Sequence, residues 1–353
     1  MTSAFLLCPI SRATNPRELT FIARRHLRHL VKHKFVFVSC SLILLIVFAI
    51  KPNSQGLALR VQHNPVILSA AMAGLHSVGP TQKKKEATPP VPATLLTRTT
   101  TRHENARLGY GSTVTIIGAP SGSITVEGWQ RSEVDLVADI ELHAETEADL
   151  DQLARVNTFV FDVDLNHINV LTSGTHDKEF MKKVAKNFPK NLLNLPWKIN
   201  YRLRVPASTD VEINGGYGPI TFSGVEGAAR LTATASDMNI TLTGGFLSVT
   251  IAAGNVTLVI PTRTWRGSGA DVRVAAGTLN VEVPSGFSAD IDADILRTGK
   301  IINTMEGLSP RERPGITDTV VRGRAGNGGA DFKFAVGDGT INLMKQTAVT
   351  SNP

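Results

Sequence analysis

The decapeptides VTIAAGNVTL at Val249–Leu258 and VRVAAGTLNV at Val272–Val281 decide the fold of this chain. They match position for position at an offset of 23 residues. In both, aliphatic residues alternate with polar ones, and a glycine stands near the middle. Period-two alternation interrupted by glycine indicates β-strand that turns sharply at the glycine. Each copy therefore predicts a strand, a glycine-centred corner and a second strand.

Two further segments follow the same pattern. FKFAVGDGTINL at Phe332–Leu343 is a looser third copy with two extra residues at the turn, and LTATASDMNITL at Leu231–Leu242 is a fourth. Self-similarity of this kind predicts stacked rungs about 4.8 Å apart that bury one continuous apolar row. We expect an all-β, repeat-built β-solenoid with one short helix. A β-sandwich of hairpins is the alternative.

The repeats occupy residues 206–346, and a tail follows at 347–353. Residues 108–205 form a different N-terminal β part, in which Glu145–Val156 has the acidic and leucine spacing of a short helix. A polar insertion at 174–198 carries six lysines and predicts either a mobile basic loop or a short surface helix.

An apolar, uncharged run at Phe35–Ile50 predicts a single transmembrane helix. As a helix it is about 24 Å long, slightly shorter than the hydrocarbon core, and flanking lysines can close that gap. The basic residues concentrate before the run, at Arg24, Arg25, Arg28, Lys32 and Lys34. The positive-inside rule then makes residues 1–34 a cytoplasmic tail and places the main domain outside the cytoplasm. An uncleaved signal anchor in a bacterial inner membrane is the leading interpretation, and a cleaved signal peptide is the alternative.

Residues 51–107 lack a steady period and contain a lysine run, prolines and threonines, which predicts a linker. The formal net charge of +7 is unevenly distributed. Residues 1–107 hold 15 of the 37 Lys and Arg and 3 of the 30 Asp and Glu, a net charge of +12, which leaves −5 for the remainder. This split argues against a nucleic-acid partner and favours contact of the basic part with membrane lipids.

Asp290, Asp292 and Asp294 alternate along one predicted strand, so they share one face. Such a row permits acid–base work on a polysaccharide or calcium binding. A solvated outer face that discourages strand aggregation is the favoured interpretation of the row, and the catalytic or calcium site is the alternative.

The sequence contains no metalloprotease, nucleophile-elbow or phosphate-loop motif, and both cysteines precede residue 41. We therefore expect no enzyme activity, no catalytic residue, no bound metal and no cofactor.

The order of these segments resembles a family of adhesin-like proteins of the bacterial envelope. The resemblance rests on YRLRVP at Tyr201–Pro206, VEI and GYG within 211–218, the Ala-Gly repeats, and GDGTINL at Gly337–Leu343. It spans roughly residues 110–345. It implies a membrane-anchored β-solenoid with no known catalytic residues.

Three hypotheses for function follow. The leading one is a non-enzymatic adhesin-like or scaffold module of the cell envelope, periplasmic or extracellular, with an envelope protein or glycan as partner. The second is a polysaccharide-active β-helix enzyme that uses the three aspartates. The third is an envelope-stress sensor or accessory protein that signals through the anchor.

Overall fold

The computed structural model describes residues 95–184 and 187–346. They form an all-β fold whose strands belong to one 17-stranded sheet. The strands are β1 (Leu96–Arg107), β2 (Thr113–Ser121), β3 (Ile124–Trp129), β4 (Glu133–Ala144), β5 (Thr158–Asp164), β6 (His167–Ser173), β7 (Trp197–Pro206), β8 (Asp210–Tyr217), β9 (Ile220–Ser223), β10 (Ala228–Ala235), β11 (Met238–Thr241), β12 (Gly244–Val259), β13 (Arg266–Val283), β14 (Ala289–Asn303), β15 (Leu308–Pro310), β16 (Val320–Ala325) and β17 (Asp331–Lys345). The helices are α1 (Glu147–Val156), α2 (Lys178–Val184) and a 3₁₀ turn at Lys190–Leu192.

The two defining repeats pair in parallel, residue for residue. Strand β12 aligns Val249 with Val272 of β13, Gly254 with Gly277, and Leu258 with Val281. The offset of 23 residues seen in the sequence is therefore the register of the strands. The fourth copy joins the same array, since β10 and β11 both pair in parallel with β12.

The predicted alignment of the third copy is wrong by two residues. Strand β17 aligns Phe334, not Phe332, with Val272, and Gly339 with Gly277. No extra residues are needed at the turn. The corner glycine sets the register, because the bend of one strand must lie directly against the bend of the next.

Glycines in the left-handed region stack at this corner. Gly277 has φ 143°, and a Cβ built on it would lie 1.8 Å from the carbonyl oxygen of Gly254. A Cβ on Gly339 would lie 1.7 Å from the carbonyl oxygen of Gly277, and one on Gly299 equally close to that of Gly339. No side chain fits between backbones at this separation, so the array requires glycine here.

Strand order along the array differs from order along the chain. Strand β17 lies between β13 and β14 and pairs in parallel with both. Strand β2 likewise lies between β6 and β8. Strands β2 and β17 are therefore each inserted between two strands that are not their neighbours in the sequence.

One hydrophobic core receives residues from both sides of the glycine corner. In β12, Val249 and Ile251 before the corner and Val256 and Leu258 after it are all buried in this core. The alternation of buried and exposed positions continues in the neighbouring strands. Burial of this row is the main stabilising contribution to the array.

The predicted linker at 51–107 ends too late. Its last twelve residues, Leu96–Arg107, form β1, which pairs antiparallel with β4 along its whole length. The sequence of β1 is rich in threonine and charge and lacks the apolar alternation of a half-buried strand. Its position is set by backbone hydrogen bonds to β4 and by Arg98, which forms an ion pair with Asp151 of α1 at 2.7 Å.

The predicted helix at Glu145–Val156 is present as α1, which begins one residue after its N-cap, Thr146. The Thr146 hydroxyl accepts a hydrogen bond from the backbone N–H of Asp149. Leu150 and Leu153 of α1 are fully buried. The basic insertion also contains helical structure, since α2 places Phe180 and Met181 in a small cluster with Val156.

Candidate functional site: a charged face on the stacked strands

The three predicted aspartates lie on the first part of β14. Ala289, Ile291 and Ala293 are buried in the core, so Asp290, Asp292 and Asp294 point to the other side of the strand. Each of the three side chains is less than one-third exposed, with exposures of 13%, 27% and 32% for Asp290, Asp292 and Asp294. The row is therefore packed against neighbours rather than fully solvated.

Each aspartate has an arginine partner. The Nε and a terminal amine of Arg324 donate to Asp290 at 2.7 and 3.1 Å. Arg322 donates to both oxygens of Asp294 at 2.8 and 3.0 Å. Arg311 donates to both oxygens of Asp292 at 2.8 and 3.1 Å. These charge-assisted contacts compensate the repulsion among the three carboxylates.

Antiparallel pairing with β16 supplies two of these arginines. Asp290 lies opposite Arg324, and Asp292 lies opposite Arg322. Sequence reasoning missed all three arginines, although Arg322 and Arg324 alternate with the same period as the aspartates. The available signal was a pair of segments whose charged residues have opposite sign and recur at the same period of two residues. Such a pattern predicts cross-strand pairing.

The hydrogen bond from Arg324, with the nearby charge of Arg311, holds the pKa of Asp290 below its ordinary value. The same pairing raises the pKa of Arg324, and the Asp294 carboxylate raises that of Arg322. A polysaccharide hydrolase needs one carboxyl group whose pKa is raised so that it can donate a proton. The environment of Asp290 has the opposite effect and favours a permanently ionised, structural role.

The row continues onto the two preceding strands of the array. Lys333 of β17 lies in register between Asp271 of β13 and Asp292 of β14. A shallow cavity of about 210 Å³ opens here, lined by Asp271, Arg273, Asp292, Asp294, Arg322 and Lys333 among others. We call the charged residues of this surface the charged face: Asp271, Arg273, Asp290, Asp292, Asp294, Arg311, Arg322, Arg324 and Lys333.

The charged face contains one cation that is not part of an ion pair. Asp271 forms an ion pair with Arg273 at 2.7 Å, and the three aspartates of β14 form ion pairs with the three arginines. Within residues 95–184 and 187–346, Lys333 is within ion-pair distance of no carboxylate, and its side chain is exposed. Lys333 is therefore free to contact an anionic group of a ligand.

A second cavity, of about 330 Å³, lies where several turns meet, and we call it the corner pocket. The turn before β2 contributes Tyr110, the turn between β3 and β4 contributes Arg131 and Ser132, and the turn after β7 contributes Ser208. Trp129 forms part of its wall. Sequence reasoning did not predict this pocket, because its residues are separated by up to about a hundred positions in the chain.

In the part of the chain that the structure describes, no group of three or more His, Cys, Asp or Glu side chains is placed to hold a metal ion. The same residues include no helix that is long and apolar enough to cross a membrane. The predicted anchor at Phe35–Ile50 and its flank Arg24, Arg25, Arg28, Lys32 and Lys34 lie outside the described residues.

No family model matches the chain, and no curated protein is significantly similar to it. Among solved structures, it is similar to a "putative cell adhesion protein" of Clostridium sporogenes, with 11% identity, 70% of this chain and 100% of that chain covered, and a TM-score of 0.40. A "putative adhesin" of Bacteroides fragilis has 11% identity, covers 69% and 97% of the two chains, and gives a TM-score of 0.24. A "putative lipid binding protein" of Parabacteroides distasonis has 12% identity, covers 70% and 97%, and gives 0.21. TM-scores this low carry no argument about function, so the family resemblance remains a prediction.

Proposed function

We propose that this chain is a non-enzymatic, adhesin-like or scaffold module of the bacterial envelope. A signal anchor at residues 35–50 holds it in the inner membrane with its N-terminus in the cytoplasm. Its β-solenoid domain lies outside the cytoplasm and binds an envelope glycan or protein through its outer surface. The anchor and its orientation are supported by the apolar run and the basic residues before it.

The observation that carries the proposal is the charged face. Its side chains follow the register of four adjacent strands, from Asp271 through Lys333 and Asp292 to Arg322. Adjacent strands are about 4.8 Å apart, so these charges form an ordered row about 14 Å long. The ion pairs hold most of the row in place, and Lys333 provides an unpaired cation. Such a surface is suited to recognition of a charged partner rather than to bond cleavage.

The location is tested with the full chain carrying alkaline phosphatase at its C-terminus, since this enzyme is active only outside the reducing cytoplasm. We expect activity in the membrane fraction of a bacterial host, and loss of that activity when residues 35–50 are deleted. Activity confined to the soluble fraction of the intact fusion would contradict the anchor. An inactive fusion at normal abundance would contradict the orientation.

Binding is tested with the detergent-purified full chain and isolated bacterial envelope fractions. Lys333→Glu reverses the unpaired charge of the charged face, and Lys183→Glu makes the same change on the exposed surface of α2. Because Lys333 is free to contact an anionic group, we expect Lys333→Glu to weaken envelope binding about tenfold, the effect of 1.4 kcal/mol. Lys183→Glu should leave the affinity near its original value. Equal binding by all three proteins would remove the charged face from the proposal. No binding by the original chain would refute the adhesin-like function.

A further inference from the structure

The corner pocket combines features of a carbohydrate site. Its volume of about 330 Å³ lies at the lower end of the range of about 300–1,000 Å³ for small-molecule sites. It is formed by turns, where binding residues concentrate because a rigid scaffold holds them. A site of this size suits one sugar residue with part of its neighbours.

Tyr110 is the most exposed aromatic side chain of the described residues, at 94%. It stands between Gly109 and Gly111 at the edge of the pocket. A ring this exposed does not gain the stabilisation that burial of a tyrosine side chain provides. A ligand that covers the ring recovers that gain, and the C–H face of a sugar ring is a surface of matching shape and polarity.

Trp129 forms a fixed wall of the pocket. Its indole N–H donates to the carbonyl oxygen of Glu133 at 2.8 Å, which holds the ring in one orientation. The guanidinium groups of Arg131 and Arg204 lie 5.0 and 5.3 Å from the ring centroid. These cation–π contacts place two positive charges around the indole.

The guanidinium of Arg131 retains most of its hydrogen-bonding capacity. Its side chain is 70% exposed, and its contact with Glu133 is long, at 3.5 Å. The carboxylate of Glu226, which also lines the pocket, is bonded to Arg266 at 2.6 Å. The pocket therefore offers a cation with free donors, while its own carboxylate is already neutralised.

We propose that the corner pocket binds a hexuronic acid residue of an acidic polysaccharide. The sugar ring stacks on Tyr110, its carboxylate accepts two hydrogen bonds from Arg131, and its hydroxyls exchange hydrogen bonds with Ser132 and Ser208. A planar guanidinium matches a carboxylate in this two-pronged geometry. The proposal rests on the proposed function, since an envelope polysaccharide reaches the domain only outside the cytoplasm.

The test is calorimetric titration of the detergent-purified full chain with a galacturonic acid trimer and with its methyl ester. The ester keeps the rings and loses the charges. We expect the acid to bind at least about tenfold more tightly than the ester, because only the acid engages Arg131. Arg131→Gln should abolish this preference, and Tyr110→Ala should weaken both ligands.

Arg155→Gln is the matched control, since this exposed arginine lies on α1, which contributes nothing to the pocket lining. It should leave both affinities unchanged, and thermal unfolding checks that each variant is folded. Failure of the acid to bind, equal affinity for acid and ester, or indifference to Arg131→Gln would overturn the proposal. Tighter binding of a glutamate pentapeptide than of the trimer would assign the pocket to a protein partner and overturn it as well.

Envelope binding at the charged face distinguishes failure of the pocket proposal from failure of the proposed function. Lys333 lies on β17 and does not line the corner pocket. Envelope binding that depends on Lys333 while the trimer fails to bind would overturn the pocket alone. Absence of envelope binding by the original chain, together with tight, Arg131-dependent trimer binding, would refute the proposed adhesin-like function and retain the pocket as a binding site.

Discussion

At the corner of the array, single residues are constrained by the backbone of the next strand. A Cβ on Gly277 would overlap the carbonyl oxygen of Gly254 at 1.8 Å, and its φ of 143° disfavours any other residue. The glycine repeat was visible in the sequence and predicted a sharp turn. That the turns stack in direct contact follows only from the register, because the sequence does not state which strands are neighbours.

Gly277→Ala should lower the free energy of unfolding by about 3 kcal/mol, from backbone strain and overlap together. Gly307→Ala is the control, since Gly307 also has a positive φ, 75°, but a Cβ there meets nothing within 4 Å. It should cost about 1 kcal/mol, from the conformation alone. Denaturant unfolding of both variants measures the difference. Equal costs would show that the corner has room for a methyl group.

Asp290 should make the stability of the domain depend on pH. Because Arg324 lowers its pKa in the folded state, the ionised form stabilises the fold. This contribution is fully present above the pKa of an unfolded aspartate, about 3.9, and is lost as pH falls through the lower, folded pKa. Asp290→Asn should therefore flatten the decline of the unfolding free energy below about pH 4.

Asp318→Asn removes an equal charge from an exposed position and provides the comparison. Its pH profile should follow that of the original chain. If Asp290→Asn declined as steeply as the original chain below pH 4, the Asp290–Arg324 pair would contribute nothing to folding stability.

At the scale of elements, the sequence predicts helices and strands whose apolar residues recur at a regular period. It does not predict strand β1, whose residues show no such period. Helix α1 was expected from the spacing of Leu150 and Leu153, and both are buried. Strand β1 falls within the predicted linker because that segment has no steady period, and the place of β1 in the fold depends on hydrogen bonds to β4. Backbone pairing leaves no trace in side-chain pattern, so an edge strand of this kind is hidden in the sequence.

Helix α1 should contribute strongly to stability through its buried face. Leu150→Ala should cost about 3 kcal/mol, because Leu150 is fully buried and its truncation leaves a cavity. Arg155→Ala, on the exposed face of the same helix, should stay within about 0.5 kcal/mol of the original chain. Thermal or denaturant unfolding distinguishes the two, and a loss below about 1 kcal/mol for Leu150→Ala would mean that α1 packs loosely.

At the scale of the molecule, the all-β class followed from the repeats, and the strand order did not. Period and glycine positions predict that copies stack, and they leave open which copy lies next to which. The insertion of β17 between β13 and β14 is a long-range arrangement that local pattern cannot encode. The charged face depends on it, since Lys333 of β17 lies between Asp271 and Asp292 only in this order.

This strand order makes the C-terminal repeat essential to the whole domain. In a sequentially stacked array, removal of the last unit leaves the others intact, because each unit contacts only its neighbours. Here, deletion of residues 331–353 would remove β17 from between β13 and β14 and expose both strands. It would also remove five buried side chains from the core, those of Phe332, Phe334, Val336, Ile341 and Leu343.

We therefore expect the chain lacking 331–353 to aggregate and to lose cooperative unfolding, whereas the chain lacking only 347–353 should unfold as the original does. Size-exclusion chromatography and circular dichroism of both truncations in the same detergent measure this. A monodisperse protein with a cooperative transition after deletion of 331–353 would mean that β13 and β14 close against each other without β17. Stability would then reside in separate repeats, and the interleaved order would be dispensable.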